Sequence, residues 1–283
     1  MKPAPFELYR PDSLAAALAL LEEHGEDARL LAGGQSLVPM MNLRIVSFSH
    51  LIDLNRVRSL SGIRREGETL RIGAMTRQQE IAGHPLVAAH APLLAAALPY
   101  IGHVQTRSRG TVGGSLAHAD PAAELPLVMV VLNAHFTLQS VAGKREVGAR
   151  DFFQDMLCTD LAPGEVLTEI AVPMAPAGTR VSFREFARRH GDFAIAAAAA
   201  QYVDGPDGGS LAIGLGGVNP VPYFCARLSR SMAGGKAAQA AMEQLIREEL
   251  EDIQPLSDTQ ADPDYRRTLA AILLADCLRE VLQ

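Results

Sequence analysis

Two pairs of adjacent glycines are the residues of this sequence whose type and spacing best suit the binding of an anion. The segment LLAGGQSL (30–37) places Gly33 and Gly34 between a short apolar run and a stretch with helical spacing. The segment TVGGS (111–115) repeats the pattern with Gly113 and Gly114. Glycine reaches positive φ at low cost and lets another group approach the backbone closely. Where such a turn leads into a helix, several N–H groups converge at its positive end, which favours phosphate.

One diglycine is weak support for a site, because tight turns account for most such pairs. Two loops built alike indicate that both sides of one pyrophosphate are gripped. Other phosphate-binding motifs are not met. GGKA (234–237) has alanine where a P-loop carries its hydroxyl, and it lacks the upstream glycine. GLGGVN (214–219) has asparagine where a Rossmann fingerprint has its last glycine or alanine, so we expect a strand and turn there.

Size and composition limit the classes of protein that fit. The 283 residues allow two or three domains, and the net charge of −6 argues against a nucleic-acid partner. No apolar run approaches the roughly 20 residues needed to span a bilayer, and no signal-type segment starts the chain. Cys158, Cys225 and Cys277 are far apart and lie near no histidine in metal-ligand spacing. We expect free thiols, a cytoplasmic location and no metal in this chain.

The elements that must position the glycine loops follow from periodicity and punctuation. A helix is predicted over 11–25, with Asp12 or Ser13 as its cap and Gly25 at its end. Strands are predicted within 28–34, 50–55, 69–76, 135–140 and 164–173. Helical stretches are predicted over 78–100, with a break near 83–85, and over 121–134, with Asp120 as cap and Pro121 in the first turn. The absence of regular βαβα alternation favours an α+β fold.

A last helix is predicted over 264–282. Leu269, Ile272, Leu273 and Leu278 recur there at helical spacing, which predicts a core or subunit-interface stripe. The cluster of Pro173, Pro176 and Gly178 is the best candidate for a domain boundary.

LLAGGQSLVPMMNLR (30–44) together with RGTVGGSLAHADPAAELP (109–126) resembles the FAD-binding medium subunit of the molybdenum hydroxylases. That family includes the carbon monoxide dehydrogenase medium subunits and the flavin domain of xanthine dehydrogenase. IGAMT (72–76), EVLTEIAVP (165–173), FARRHGDFAIAAAA (186–199) and GLGGVNPVP (214–222) follow in the family's order. The resemblance implies a PCMH or vanillyl-alcohol-oxidase type of FAD-binding fold in two subdomains, 1–57 and 58–176. A C-terminal α+β domain of the CO dehydrogenase flavoprotein type, 177–283, would complete the chain.

The resemblance also implies which residues contact FAD. The first loop would bind the pyrophosphate through backbone N–H groups and the Ser36 hydroxyl, and the second would close on the flavin from the other side. Glu124 would accept hydrogen bonds from ribose or ribityl hydroxyls. Ile101, Leu167 and Arg184 would contact the adenine or isoalloxazine ends. The complete loop sets are Leu30, Leu31, Ala32, Gly33, Gly34, Gln35, Ser36 and Leu37, and Thr111, Val112, Gly113, Gly114 and Ser115.

The sequence departs from many family members at a few of these positions. Gln35 replaces histidine or threonine, Asn42 replaces lysine and Ser115 replaces asparagine. All three replacements are polar, so FAD binding is expected to survive. Phe193 stands where some relatives have tyrosine near the flavin, which leaves stacking but no hydroxyl.

Several polar residues near these motifs keep an ordinary structural interpretation. Asp120 is interpreted as the cap of the following helix, without contact to FAD, and His118 is as readily a structural imidazole as a flavin neighbour. Arg188, Arg189 and His190 form a charge run of the kind that usually marks a solvated face.

The resemblance implies an electron-transfer subunit with no catalytic residue of its own. A large molybdopterin subunit would oxidise the substrate, and two [2Fe–2S] clusters on a small subunit would pass electrons to this FAD and on to an acceptor. The complex is expected to be a dimer of heterotrimers. A stand-alone flavin oxidase of the same fold, a non-redox assembly subunit and a phosphate-ligand binding module are the alternatives. The substrate and the acceptor stay open.

Overall fold

The computed structural model describes residues 2–205, 209–233 and 239–283. Within these ranges the strands are β1 (Glu7–Tyr9), β2 (Ala28–Leu31), β3 (His50–Asp53), β4 (Ile63–Glu66), β5 (Thr69–Gly73), β6 (His135–Ser140), β7 (Gly143–Gly148), β8 (Phe153–Asp155), β9 (Cys158–Thr159), β10 (Val166–Pro173), β11 (Arg180–Phe186), β12 (Ala196–Val203), β13 (Ser210–Gly216) and β14 (Tyr223–Phe224). The helices are α1 (Leu14–His24), α2 (Leu37–Asn42), α3 (Gln78–Ala82), α4 (Pro85–His90), α5 (Pro92–Ala97), α6 (Val104–Arg109), α7 (Val112–His118), α8 (Glu124–Val131), α9 (Ala149–Phe152), α10 (Ala226–Ser231), α11 (Gln239–Leu250) and α12 (Pro263–Val281).

A small parallel sheet, in the order β1-β3-β2, begins the fold. The predicted first helix is confirmed as α1, and Ser13 rather than Asp12 caps it by accepting a hydrogen bond from the amide of Ala16 at 3.3 Å. Gly25 ends the helix with φ of 51°. The buried face of α1, including Leu18, packs with Ile52 of β3. Strand β2 of this sheet ends at Leu31, two residues before Gly33 of the first glycine loop.

A five-stranded antiparallel sheet follows, in the order β4-β5-β10-β6-β7. The strands predicted at 69–76, 135–140 and 164–173 are confirmed as β5, β6 and β10. The predicted helical stretch over 78–100 is broken near residue 83, as expected, and again at Ala91, because Pro85 and Pro92 each start a new helix. The segment 111–115, expected as a loop, forms the start of α7: Thr111 is the N-cap, and Gly113 and Gly114 lie in the first turn of the helix, which contacts β10 of this sheet.

A four-stranded antiparallel sheet, β11-β12-β13-β14, forms the rest with α10 to α12. Its central strand β12 is built from alanines that alternate between two cores. Ala197 and Ala199 pack with α8 and α5, whereas Ala196 and Ala198 pack with α12. All eight residues of α8 are buried, because this sheet covers the side of α8 that the rest of the FAD-binding region leaves open. The result is an α+β fold in which one helix serves two layers.

The expected start of one helix was wrong. The helix predicted to start at Asp120 and Pro121 begins at Glu124 instead. The Asp120 carboxylate accepts from the amide of Ala122 at 2.9 Å, which forms a turn, and the carbonyl of Pro121 accepts from the amide of Gly217 at 2.7 Å. Those two bonds hold the segment out of the helix.

The stripe predicted on the last helix is only partly right. Leu269, Leu273 and Leu278 are buried, but Ile272 is 52% exposed. The GLGG segment is confirmed as the end of β13 and the turn after it, whereas GGKA (234–237) lies outside the described residues. Among the residues that are described, no helix combines the length and apolar character needed to cross a bilayer.

Candidate functional site

The two glycine loops lie against each other. A Cβ at Gly33 would collide with the carbonyl oxygen of Arg109 and would lie 2.8 Å from the Cα of Gly110. A Cβ at Gly114 would lie 2.7 Å from the Thr111 hydroxyl oxygen and 3.1 Å from the Cβ of Ala32. The glycines therefore do more than shape their own turns. They allow two backbone segments, 76 to 82 residues apart in sequence for these pairs (109 − 33 = 76; 114 − 32 = 82), to approach within contact distance.

The first loop presents unpaired backbone donors. The amides of Gly33, Gly34, Gln35 and Ser36 donate to no acceptor in the described part of the chain. Gly34 has φ of 75°, and its carbonyl accepts from the amide of Val38 at 3.2 Å, which starts α2. Buried backbone amides are almost always paired, and Gly33 is buried. Consecutive free donors around a left-handed glycine form a concavity suited to an anion.

The second loop uses its amides inside the protein. The amides of Val112 and Gly113 donate to the carbonyls of Thr76 and Ala74, at 3.1 and 2.8 Å. The Thr111 hydroxyl caps α7 by accepting from the amide of Gly114 at 3.1 Å, and the Thr111 carbonyl takes the amide of Ser115. The two loops therefore differ in kind: the first offers donors, and the second offers a small-residue wall.

Two side chains that the sequence analysis did not single out tie the loops together. The side-chain Nδ2 of Asn55 donates to the carbonyl of Ala32 at 3.0 Å, and the Oδ1 of Asn55 accepts from Arg77 at 2.5 Å. Arg77 also donates to the carbonyl of Arg109. Burial lowers the pKa of Arg77, as does the neighbouring Arg109. No local sequence signal marks this bridge, because Asn55, after β3, and Arg77, before α3, are 22 residues apart and meet only in the fold.

The remaining loop residues surround these donors. Gln35 is exposed, and its side-chain amide donates to the carbonyl of Gly33 at 3.2 Å. The Ser36 hydroxyl makes no capping bond at the start of α2 and is free to contact a ligand. Leu30, Leu31, Ala32 and Leu37 are half-buried.

Glu124 stands at the first position of α8 with only 5% of its surface exposed. Burial raises the pKa of its carboxyl to about 7, and the nearby Asp120 raises it further, against a hydrogen bond from the residue's own backbone amide. Burial lowers the pKa of His118, while Asp120 raises it and Arg29 lowers it. A buried carboxyl without a basic partner therefore begins α8, the helix that packs against α7.

The three residues expected at the ends of the cofactor lie in different surroundings. Ile101 and Leu167 are buried core residues at 8% and 5% exposure. The Arg184 guanidinium binds Glu280 of α12 at 2.8 Å, on the face of β11 opposite Phe183. Because side chains alternate along a strand, Arg184 points away from Glu124, and its neighbour Glu185 takes the facing position.

The segment 188–193 lies beside the turn that precedes α6. The rings of His190 and His103 are 6.2 Å apart, and a Cβ at Gly191 would lie 2.8 Å from the His103 ring. Phe193 is 52% exposed, and Arg188 and Arg189 are exposed as well. This segment is accessible for contact with another molecule.

These features fit a dinucleotide with a diphosphate and hydroxyl-bearing sugars: unpaired loop donors, a cradle that any Cβ would fill, and a buried carboxyl. Comparison with known protein families also indicates that the chain binds FAD. The protein family described as the FAD binding domain in molybdopterin dehydrogenase matches residues 4–175. The family described as the CO dehydrogenase flavoprotein C-terminal domain matches residues 181–281. The chain belongs to the FAD-binding medium subunits of the molybdenum hydroxylases.

Relatives of this medium subunit cover nearly its whole length. It is 38% identical over 281 residues to the carbon monoxide dehydrogenase medium chain of Hydrogenophaga pseudoflava, covering 98% of this chain and 97% of that one. It is 34% identical over 282 residues to the glyceraldehyde dehydrogenase medium chain of Sulfolobus acidocaldarius, covering 99% and 100%. The solved carbon monoxide dehydrogenase from Hydrogenophaga pseudoflava superposes with a TM-score of 0.96 at 37% identity, over 99% of this chain and 98% of that one.

Metal-ligand groups and surface depressions were compared with the position of the glycine loops. In the ranges described, no group of three or more His, Cys, Asp or Glu side chains could hold a metal ion. A surface depression of about 770 Å³ is lined by the start of α1 and by residues of the segment 55–59, and no residue of the glycine loops borders it. The geometry that fits the cofactor is the meeting of the loops, not this depression.

Proposed function

We propose that this medium subunit carries FAD and passes electrons, within a molybdenum hydroxylase complex, from [2Fe–2S] clusters on a small subunit to an external acceptor. The observation that carries the proposal is the run of four unpaired amides in the first loop, closed from the other side by the second loop. Family membership gives the cofactor its name. Substrate oxidation belongs to a separate molybdopterin subunit, so this chain holds no catalytic residue for it.

The chain's own contribution is binding, orientation and electrostatics. Bound FAD supplies the redox chemistry by accepting and releasing electrons at its isoalloxazine. The amides of Gly33 to Ser36 and the Ser36 hydroxyl would hold the pyrophosphate, and the second loop, Thr111 to Ser115, would pack against the flavin side. Glu124 would accept from cofactor hydroxyls. Ile101 and Leu167 would offer apolar contacts from their buried positions.

The assembly is proposed at two levels of detail. Relatives named as medium chains or as subunits of a complex support large and small partner subunits for this chain. A dimer of heterotrimers and the identity of the acceptor are finer proposals. We also propose a cytoplasmic location, where cysteines such as the three unpaired ones here stay reduced.

The division of the chain is proposed on similar grounds. Two FAD-binding subdomains would span 1–57 and 58–176, and a C-terminal domain would span 177–283. This division is supported by the three larger sheets, which lie within 7–53, 63–173 and 180–224, and by the two matched ranges.

Purification of the native complex tests the proposal. We expect this chain to co-purify with molybdenum-containing and iron–sulfur subunits, to show flavin absorbance and to release FAD on denaturation. A chain that binds FAD and reduces oxygen with a small substrate in the absence of any partner would instead indicate a stand-alone oxidase. A colourless chain that still assembles would indicate an assembly subunit.

A further inference from the structure

The face formed by α6 and the segment 188–193 carries positive charge that the described residues leave unbalanced. Arg188 and Arg189 are exposed, and so is Arg109 at the end of α6. None of these three arginines forms an ion pair with a described residue. Residues 101–110 and 186–193 together hold four arginines against one carboxylate, that of Asp192, although the whole chain has a net charge of −6.

The two segments form one surface because they touch. A Cβ at Gly191 would lie 2.8 Å from the His103 ring, and the rings of His103 and His190 are 6.2 Å apart. Arg107 holds the turn before α6 by donating to the carbonyl of Gly102 at 3.2 Å. The charges of both segments therefore act on the same approaching molecule.

Each segment also exposes one large apolar side chain. Val104, the first residue of α6, is 55% exposed, and Phe193 is 52% exposed. Single exposed apolar residues are common on protein surfaces and carry no argument by themselves. Together with unpaired arginines they give the composition of a protein-binding surface, where apolar and aromatic contacts are combined with charged ones.

This face lies close to the glycine loops. Helix α6 ends at Arg109, and a Cβ at Gly33 would collide with the carbonyl oxygen of that residue and would lie 2.8 Å from the Cα of Gly110. A helix of six residues is about 9 Å long. A molecule bound at the start of α6 is therefore one short helix away from the unpaired amides of the first loop.

The chemistry of the face indicates what kind of partner fits it. Permanent subunit interfaces are large, and charged residues are depleted at their centre. A surface with four arginines and two apolar side chains instead suits a small, short-lived contact, in which opposite charge steers the partner and speeds its association. The partner expected from charge complementarity is an acidic protein.

We propose that the face formed by α6 and the segment 188–193 is the docking site for an acidic electron-accepting protein, which binds transiently and takes electrons from the reduced flavin. The inference rests on the proposed function and names the class of acceptor that the proposed function leaves open. The reduced flavin gives up two electrons, one to each of two acceptor molecules, and its protons pass to water. Arg188 and Arg189 attract the acidic surface, and Val104 provides an apolar contact once the partner is bound.

Stopped-flow measurements on the native complex test this inference. The complex is reduced anaerobically with a stoichiometric amount of dithionite and mixed with cytochrome b5, an acidic haem protein, or with a small neutral quinone. At low ionic strength, Arg188→Gln combined with Arg189→Gln should lower the rate constant for cytochrome b5 at least roughly tenfold, because the variant loses electrostatic steering. The wild-type rate constant should fall as salt is added, and the rate for the quinone should be the same in both proteins. Titration of the oxidised complex with cytochrome b5 should show the same loss as weaker binding.

Arg230→Gln combined with Arg247→Gln is the matched control. Both arginines are exposed, lie on α10 and α11, and form no ion pair with a described residue, so the control changes the net charge by the same amount. This control should transfer electrons to cytochrome b5 as the wild type does.

Three results would overturn the docking site and leave the proposed function intact. The first is an equal rate constant for cytochrome b5 in the wild type and in the Arg188 and Arg189 double variant. The second is slower transfer to both acceptors in that variant, which would place the effect at the flavin. The third is loss of partner subunits from the purified variant, which would identify a permanent interface. A wild-type complex that contains no flavin would overturn the proposed function together with this inference.

Discussion

At the scale of the residue, Gly33 and Gly114 are required by the atoms that surround them. Gly33 faces backbone atoms of Arg109 and Gly110, which cannot rotate away as a side chain can. Gly114 faces the capping hydroxyl of Thr111 and the Cβ of Ala32. Close packing leaves no room at these contacts for one more carbon atom.

Gly33→Val and Gly114→Val are therefore expected to lose FAD. The added side chain pushes the two loops apart and moves the amides of the first loop out of position. Flavin content after purification, measured from absorbance and from FAD released on denaturation, should fall from near one per chain to near zero. Gly83→Ala is the matched control, because its Cβ would lie 3.9 Å from the nearest neighbour and its φ is −97°. Full occupancy in both valine variants would contradict the binding role of the loops.

Glu124 gives a prediction on pH dependence. Its pKa of about 7 in the folded chain lies above the value of 4.5 for a free glutamate, so the unfolded chain loses this proton first as pH rises. Burial of the charged carboxylate therefore destabilises the folded chain. This destabilisation is absent below pH 4.5, grows between pH 4.5 and 7, and is complete above pH 7. Its size is on the order of 3 kcal/mol in the free energy of unfolding.

Glu124→Gln should remove that effect. Urea denaturation of the FAD-free chain at a series of pH values should show the variant gaining stability over the wild type as pH rises from about 5 to 8, by up to roughly 3 kcal/mol. Glu146→Gln should follow the wild-type profile. Parallel profiles for Glu124→Gln and the wild type would show that the carboxyl is not buried as described.

At the scale of the element, the site depends on how a loop after β2 is fixed to a loop before α7. Asn55, just after β3, and Arg77, just before α3, form a chain of hydrogen bonds from the carbonyl of Ala32 to that of Arg109. Arginine suits this place because its planar group donates in two directions at once. The bridge holds the two segments together through the carbonyls of Ala32 and Arg109 and leaves the amides of the first loop unpaired.

Arg77→Lys should weaken FAD binding while keeping the charge. Lysine can reach one acceptor but cannot hold both in a fixed geometry, so we expect a dissociation constant raised roughly tenfold, as for the loss of one charged hydrogen bond. Fluorescence titration with FAD measures this. Arg65→Lys is the control, because Arg65 is exposed and pairs with Glu68 on the β4–β5 hairpin. This variant should bind FAD as the wild type does. Equal affinities for the two variants would show that the bridge is dispensable.

At the scale of the whole molecule, the C-terminal sheet completes the core of the FAD-binding region. Phe183, Ala197 and Ala199 belong to the same buried cluster as α8, and the aromatic rings of Phe183 and Tyr100 are 5.0 Å apart. The second core, between the other face of β12 and α12, lies entirely within the C-terminal part. The two parts match separate family models, yet they share an apolar layer.

A fragment of residues 1–176 should therefore fail to fold as a stable monomer. Without the sheet, α8 exposes apolar side chains such as Leu127 and Val131 over a surface that normally contacts β12 and β13. We expect aggregation, or binding of a hydrophobic dye with a broad thermal transition. A soluble monomeric fragment that unfolds cooperatively and binds FAD would show that the region is self-sufficient.

Much of this protein could be predicted from its sequence because the signals are local. Helix caps, prolines at first turns and apolar runs predicted α1, the broken helices over 78–100 and strands β5, β6 and β10, and the paired glycine motifs with their context predicted the family. These features depend on residues within a few positions of one another, where backbone preference and periodicity act directly.

Tertiary structure decided what depends on distant segments. The bridge from Asn55 to Arg77, the division between a loop that offers donors and a loop that uses its own, and the Asp120 turn that delays α8 each involve contacts that no local pattern encodes. The two faces of β11 are the clearest case, since Phe183 and Arg184 are neighbours on one strand and only the packing of α8 and α12 on opposite faces gives them different surroundings. Sequence fixes which chemical groups are present, whereas the environment that makes a group useful is created by other parts of the chain.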